Sequence, residues 1–129
     1  IGYHYDSNIL FLDWEKYIGK KVKDVISFTI TIELPAESEF DWIKGTETND
    51  PEVYNSLKYN TTHHTKIKKF PDELKNKRKT HVYDEGDCVL QWNFTLHRIG
   101  KLSFSSLDER RITIQGCGVY DGEKIWLSS

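Results

Sequence analysis

Hydrophobic and polar residues alternate along two stretches of this chain. Between Ile26 and Leu34 every second residue is apolar, and the residues between them are Ser, Thr or Glu. A similar alternation runs from Cys88 to Leu96, with Trp92 and Phe94 among the apolar residues. Because successive side chains of a β-strand point to opposite faces, this period of two predicts two long strands, each buried on one face.

The same alternation predicts which side chains form the core. We expect an apolar set to face inward and be buried: Phe28, Ile30, Ile32, Leu90, Trp92, Phe94 and Ile114. We expect the intervening polar set to be much less buried: Thr29, Thr31, Gln91 and Thr95. A register error of one residue would exchange the two sets.

Turn signals separate the strand patterns. Asp121-Gly122 predicts a two-residue hairpin turn, which would set Tyr120 opposite Glu123. Helical signal is limited to two short segments. One runs from Asp13 to Lys21, with Asp13 a candidate N-cap and Gly19 a candidate helix end; the other runs from Pro71 to Lys79, where the charges suit a loop equally well.

The spacing of strands and turns predicts the fold class. Seven or eight strands predict an all-β protein, a two-sheet antiparallel β-sandwich or jelly roll with short helical turns at most. A length of 129 residues fits one domain with one core, so we expect residues 1–129 to form a single β-sandwich domain. No apolar run approaches the roughly 20 residues of a membrane helix, so no membrane span is expected in this chain.

Charge is spread unevenly although the formal net charge is only -2. Seven acids lie between Glu33 and Glu52, and seven bases lie between Lys66 and Lys79. A basic run of this kind is also found in nucleic-acid-binding proteins, but no nucleic-acid motif accompanies it. We therefore interpret it as a solvated loop and expect no nucleic-acid partner.

The two cysteines and two glycosylation sequons bear on the compartment. Cys88 and Cys117 both fall in predicted strands and could form one disulfide; the alternative is two small buried thiols. Asn60 and Asn93 each begin an Asn-X-Thr acceptor sequence. Together these features favour an extracellular protein, secreted or on the cell surface, with Asn60 and Asn93 as possible glycosylation sites.

Motifs for catalysis are absent from the sequence. It contains no Gly-rich phosphate loop, no His-Glu-x-x-His and no Cys-x-x-Cys. His63 and His64 are neighbours on a predicted strand and would point to opposite faces, and no spacing pairs the remaining histidines. The sequence therefore predicts no enzyme and no histidine metal site.

Acidic residues give two weaker candidates for chemistry. Glu37, Glu39 and Asp41 alternate and would share one face of a strand, where we expect an exposed loop or edge rather than a catalytic pair. The acids around Gly86 could ligate a structural Ca²⁺, although they lack the EF-hand spacing, and an acidic turn is the alternative: Asp84, Glu85 and Asp87. No other cofactor is expected.

Aromatic residues outside the apolar stripes are the strongest functional signal. Surface rings beside hydrogen-bonding side chains are typical of sugar recognition, because a ring stacks on the C–H face of a pyranose while polar groups bind its hydroxyls. The candidate ligand-binding set combines rings from turns and strand ends with the polar face of the second long strand: Trp14, Trp42, Tyr54, Gln91, Asn93 and Thr95.

Two segments carry a resemblance to a known class of domain. The stretch from Trp14 to Val22 leading into Ile26–Leu34 resembles the opening of jelly-roll carbohydrate-binding modules, and the stretch from Ile112 to Gly122 resembles their final strands. The resemblance implies a β-sandwich that binds an oligo- or polysaccharide without cleaving it. The alternative is a protein-binding ectodomain of a secreted, cell-surface or viral glycoprotein, whose opposed charges would steer a protein partner.

Overall fold

The computed structural model describes residues 4–6, 8–44, 64–66 and 76–128, and nearly all of their regular structure is β-strand. A 3₁₀ turn (Asn8–Phe11) and one short helix, α1 (Trp14–Ile18), complete it. The strands are β1 (His4–Asp6), β2 (Asp24–Glu33), β3 (Glu37–Ile43), β4 (His64–Lys66), β5 (Arg78–Val82), β6 (Cys88–Trp92), β7 (His97–Ser103), β8 (Ile112–Tyr120) and β9 (Ile125–Ser128).

The strands form two antiparallel sheets, which confirms the predicted two-sheet β-sandwich. One sheet has five strands in the order β4-β1-β7-β3-β5, and the other has four in the order β6-β2-β8-β9. Among the described strands, only β8 and β9 are both consecutive in the chain and hydrogen-bonded to each other. The other connections cross between the sheets or skip over neighbours, so residues distant in sequence meet in both layers.

The short helix forms where the sequence predicts it. The Asp13 carboxylate accepts a hydrogen bond from the Lys16 backbone N–H, and Gly19 ends the helix at a φ of 68°. Trp14 turns into the protein and donates its indole N–H to the Ile9 carbonyl over 3.1 Å. The helix and the 3₁₀ turn thus close one end of the sandwich over an apolar core of Ile9, Trp14, Val25, Phe94 and Val119.

The prediction of which strand face is buried is wrong for most of β2, β6 and β8. Phe28 and Phe94 are buried as predicted and Ile30 is half-buried, but four of the predicted core residues are 41–50% exposed: Ile32, Leu90, Trp92 and Ile114. The polar set faces the other sheet instead and is no more than 8% exposed: Thr29, Thr31, Gln91 and Thr95.

Hydrogen bonds explain why the hydroxyl side chains of β2 turn inward. The Thr31 hydroxyl donates to the Asp84 carbonyl over 2.6 Å. Ser27 and Thr29 hydrogen-bond Asp6 and Tyr83, respectively. Burying a hydroxyl costs little once it has such a partner, and here the partners stand on or beside the opposite sheet.

The β8–β9 hairpin is wider than predicted. Asp121-Gly122 does form the turn, with Gly122 at a φ of 103°, but Tyr120 lies opposite Ile125 rather than Glu123. The cause is local: the Asp121 carboxylate accepts hydrogen bonds from the backbone N–H groups of residues 123 and 124, both at 2.8 Å. This side-chain turn makes residues 121–124 the loop and moves the register by two residues.

The predicted disulfide between Cys88 and Cys117 is wrong; both are free thiols. Cys88 pairs with Ile30 and is exposed, whereas Cys117 pairs with Ser27 and points to the opposite face of the sheet. Because β2 lies between the two cysteine strands, the cysteines are two strand spacings, roughly 9–10 Å, apart across the sheet. Their partners on β2 are three residues apart, which adds about 10 Å along the strand, so a bridge cannot reach.

Candidate functional site

A cavity of about 390 Å³ opens at one side of the sandwich, where the edge strands β5 and β6 face each other. We call it the aromatic cavity; its lining is Phe40, Trp42, His81, Val89, Leu90, Gln91, Trp92 and Thr95. The volume of this cavity lies toward the lower end of the range for small-molecule sites. Its wall is mostly apolar with a few polar groups, as is typical of such sites.

The aromatic rings of this cavity are held by their neighbours. Trp42 lies on β3 beside Phe40, with ring centroids 5.8 Å apart and planes at 23°. Trp92 ends β6 and meets Tyr120 edge-on, at 5.5 Å and 88°. Trp92 is nevertheless 41% exposed, and Trp42 is half-buried. Both indoles are therefore oriented in advance and still able to meet a ligand.

The polar groups of the cavity differ in whether their hydrogen bonds are already made. The Thr95 hydroxyl donates to the Trp92 carbonyl over 3.1 Å. Gln91 is only 8% exposed, and its Oε1 is buried with no hydrogen-bond partner among the described residues. An unpaired buried amide oxygen costs free energy, and it is available to accept a hydrogen bond from a ligand.

Three of the six predicted ligand-binding residues, Trp42, Gln91 and Thr95, therefore line one cavity. Trp14 is in the core, with its indole N–H bound, and is not part of the site. Asn93 follows β6 with a φ of 59°, which ends the strand before the predicted Leu96, and it is not in the lining. Tyr54 lies outside the described residues, as do Asn60 and His63. Three bases of the basic run, Lys68, Lys69 and Lys75, also lie outside them, whereas Arg78 and Lys79 begin β5, so the predicted loop or short helix is wrong for these two residues.

A second cavity of about 540 Å³ lies between the sheets and shares Phe40 and Gln91 with the first. We call it the polar cavity. Its lining combines His4, Asp6 and His97 of the five-stranded sheet with hydroxyl, amide and thiol side chains of the other: Ser27, Thr29, Gln91, Gln115 and Cys117. Arg98, Arg111 and the rings of Phe28, Phe40 and Tyr83 also line it, so polar, charged and apolar groups face the same space.

His4, Asp6 and His97 bring two imidazoles and one carboxylate together. His97 Nε2 lies 3.4 Å from Asp6 Oδ2, and His4 Nε2 lies 3.7 Å from Asp6 Oδ1. Burial opposes the charged form of His97, but its hydrogen bond to Asp6 and the carboxylate charge outweigh burial and raise the pKa of His97. Burial likewise acts against the Asp6 carboxylate, yet the bond and charge of His97 keep the pKa of Asp6 lowered.

This cluster was missed by the sequence reasoning, which found no spacing that pairs the histidines. His4 and His97 meet because β1 pairs with β7 and sets them directly opposite each other. The local signal was limited to the alternation of His4 and Asp6, which puts both on one face of a strand.

The acidic candidates are bound to other groups of the protein. Asp41 accepts hydrogen bonds from Arg98 and Thr80, while Glu37 and Glu39 contact Lys101. Their strand, β3, lies inside the five-stranded sheet, so the predicted exposed edge or loop is wrong.

The acidic turn before β6 is likewise bound by protein donors. The Asp87 carboxylate accepts from the Asp84 N–H and contacts His81, both at 2.9 Å, and Glu85 accepts from the Leu34 N–H.

Comparison with protein-family models, curated proteins and solved structures finds no match. Within the described part of the chain, neither helix is long and apolar enough to cross a bilayer. The two cavities and the outer surface of the four-stranded sheet are the candidate binding surfaces.

Proposed function

We propose that this protein is a non-catalytic carbohydrate-binding domain that holds one or two sugar rings of an oligo- or polysaccharide in the aromatic cavity. The observation that carries the proposal is the unpartnered Oε1 of Gln91 in a cavity walled by Trp42 and Trp92. A pyranose carries hydroxyl donors beside apolar C–H faces. It can therefore supply the hydrogen bond that Gln91 Oε1 does not receive from the described residues, and it can pack its C–H face on an indole ring.

Each part of the cavity has a role in this proposal. Trp42 or Trp92 stacks on the C–H face of the ring, and Gln91 Oε1 accepts from a hydroxyl. His81 stands at the rim with its Nε2 2.9 Å from Asp87 Oδ2. A neutral glycan fits this set best, because among the residues that the structure describes no Lys or Arg lines the cavity to bind an acidic sugar.

The test is isothermal titration calorimetry with neutral oligosaccharides chosen from a glycan array. We expect Trp42→Ala to weaken binding about tenfold or more, since a stacked ring contributes on the order of 1.4 kcal/mol or more. Trp126→Ala is the matched control: Trp126 is 37% exposed on the β9 strand and lines neither cavity.

Two results would count against the proposal. An array without a neutral glycan ligand for the wild type would refute carbohydrate binding altogether. Equal affinities of wild type, Trp42→Ala and Trp126→Ala would remove the aromatic cavity as the site.

The proposal includes an extracellular setting, as a secreted or cell-surface glycoprotein, which rests on the Asn60 and Asn93 sequons. The two free thiols give no support to it. Asn93 directly follows Trp92, so a glycan on Asn93 would block the cavity. Sugar binding therefore requires Asn93 to be unmodified, and glycopeptide mapping of the native protein that finds it occupied would favour protein binding instead.

A second candidate function, protein binding, is favoured by the exterior of the four-stranded sheet. Seven large apolar side chains on that face are 40–56% exposed, and we call them the apolar outer face: Ile32, Leu90, Trp92, Ile112, Ile114, Ile125 and Leu127. They expose roughly 600 Å², at the upper end of what the largest patch of a monomer presents.

For this candidate the partner is a second copy of the chain. A standard interface buries about 800 Å² on each partner, and two such faces would pack as sheets normally do, about 10 Å apart. Sedimentation velocity should then show a dimer that Ile114→Lys abolishes. Val82→Lys, on the other sheet and 61% exposed in the wild type, should leave the dimer intact. A wild type that stays monomeric at high micromolar concentration refutes this candidate.

A further inference from the structure

We propose that His4, Asp6 and His97 bind a divalent transition-metal ion of the zinc class at the wall of the polar cavity. The pairing of β1 with β7 sets His4 opposite His97, and Asp6 follows His4 on the same face of β1. This inference is independent of sugar binding, because none of the three residues lines the aromatic cavity.

The separations of the ligand atoms suit a small ion. The two imidazole-to-carboxylate distances are 3.4 and 3.7 Å, and one ligand atom from each residue lies within 4.8 Å of the others. Zinc bonds of about 2.0–2.1 Å at tetrahedral angles set neighbouring ligand atoms about 3.3–3.5 Å apart. The two imidazole-to-carboxylate distances, one to each Asp6 oxygen, already approach these values, so an ion would draw the three side chains closer together.

The ring of His97 is oriented as a metal ligand is. Its Nδ1 lies 2.8 Å from the Thr95 carbonyl oxygen, which can only accept, so Nδ1 carries the proton of that hydrogen bond. The Nε2 atom is thereby directed at Asp6. Metal-ligating histidines usually donate their second ring N–H to a carbonyl or carboxylate in this way, which fixes the tautomer and the ring orientation.

The donor set and its surroundings select the kind of ion. Two imidazoles and one carboxylate suit zinc and neighbouring transition metals, whereas Mg²⁺ and Ca²⁺ prefer oxygen ligands alone. Both histidines are buried, and a divalent cation would offset the Asp6 charge there. A fourth position faces the polar cavity, which holds the Cys117 thiol and room for a water molecule.

The test uses Zn²⁺ and Co²⁺ as probes of the whole chain after removal of metal with EDTA. We expect wild type to bind one Zn²⁺, and Asp6→Asn or His97→Ala to weaken binding by more than about 100-fold, because loss of even an outer partner costs about 10- to 100-fold. His81→Ala is the matched control, since this histidine pairs with Asp87 outside the cluster.

Two spectroscopic measurements identify the residues that bind the ion. Co²⁺ in the wild type should show the intense visible absorption of a four-coordinate site, and nitrogen NMR should show Zn²⁺ shifting Nε2 of His4 and His97 but not of His81. Circular dichroism of each variant checks that it folds. Zn²⁺ affinity that is equal in wild type and folded Asp6→Asn would overturn the proposal and leave the cluster as a buried ion pair.

Discussion

Replacing Gln91 with leucine should stabilise the protein while it removes the proposed ligand contact. Gln91 is 8% exposed, and its Oε1 has no hydrogen-bond partner among the described residues. A buried polar group left unpaired costs about 1–3 kcal/mol, and leucine has a similar size with no polar atom to satisfy. Gln91→Leu should therefore raise the free energy of unfolding by about 1–2 kcal/mol.

Thr95→Val provides the matched control with the opposite sign. It is also an exchange of a polar for an apolar side chain of similar shape in the same cavity, but the Thr95 hydroxyl donates to the Trp92 carbonyl. Losing that bond should lower the free energy of unfolding by about 1 kcal/mol.

The assay is urea unfolding without sugar and in the presence of EDTA, so that no ligand contributes to stability. With a urea m-value of about 2 kcal/mol/M, the midpoint of Gln91→Leu should rise by roughly 0.5–1 M and that of Thr95→Val should fall by about 0.5 M, at unchanged m. Midpoints that fall in both variants would refute the reasoning, since they would mean that the Gln91 oxygen is satisfied in the folded protein.

Three further predictions concern the thiols, a close-packed glycine and the β8–β9 turn. Both cysteines should react with a thiol reagent without prior reduction. Cys88 should react faster than Cys117, because Cys88 is exposed while burial raises the pKa of the Cys117 thiol. Cysteines that react only after reduction would contradict this. Gly118→Ala should lower stability by about 1–3 kcal/mol in thermal unfolding, since the added methyl group would press on the Trp126 carbonyl oxygen, and an unchanged melting temperature would argue against that close approach. Hydrogen bonds from the Trp126 indole N–H and from the backbone N–H groups of Lys124 and Glu123 lower the pKa of Asp121. Its charge therefore stabilises the fold fully above the ordinary aspartate pKa, and this contribution is lost progressively as pH falls from that value toward the lowered pKa of the folded protein. Wild type should exceed Asp121→Asn in stability at about pH 7, the gap should narrow as pH falls toward about 2, and a constant gap would be inconsistent.

The sequence predicted those parts of the fold whose causes are local. Alternation along β2 predicts a strand because the pleat has a period of two. Asp13 and Gly19 predict a helix because Asp13 can accept a hydrogen bond from an N-terminal N–H and Gly19 can adopt the left-handed conformation that ends it. The Asp121-Gly122 turn was predicted for the same reason. Its width differs because the Asp121 carboxylate accepts a hydrogen bond from the Glu123 backbone N–H.

The parts that failed depend on the opposite sheet. Alternation divides β2 and β6 into two faces but does not say which one meets the other layer. Here that layer presents Asp6 and His97, so hydroxyl and amide groups turn toward it and Leu90 turns outward. The histidine cluster follows from the pairing of β1 with β7, which joins residues 93 positions apart in the sequence, and no local pattern encodes it.

The order of strands also bears on how the chain reaches this structure. Among the described strands, β8 and β9 are the single pair that a short hairpin can bring together. Every other pairing must close a longer loop, and the entropy of that closure is lost before the contacts repay it. We therefore expect folding on the millisecond-to-second scale of non-local β-proteins, with the Asp121 hairpin as the element able to form early and β2, which needs both β6 and β8, among the last to become fully paired.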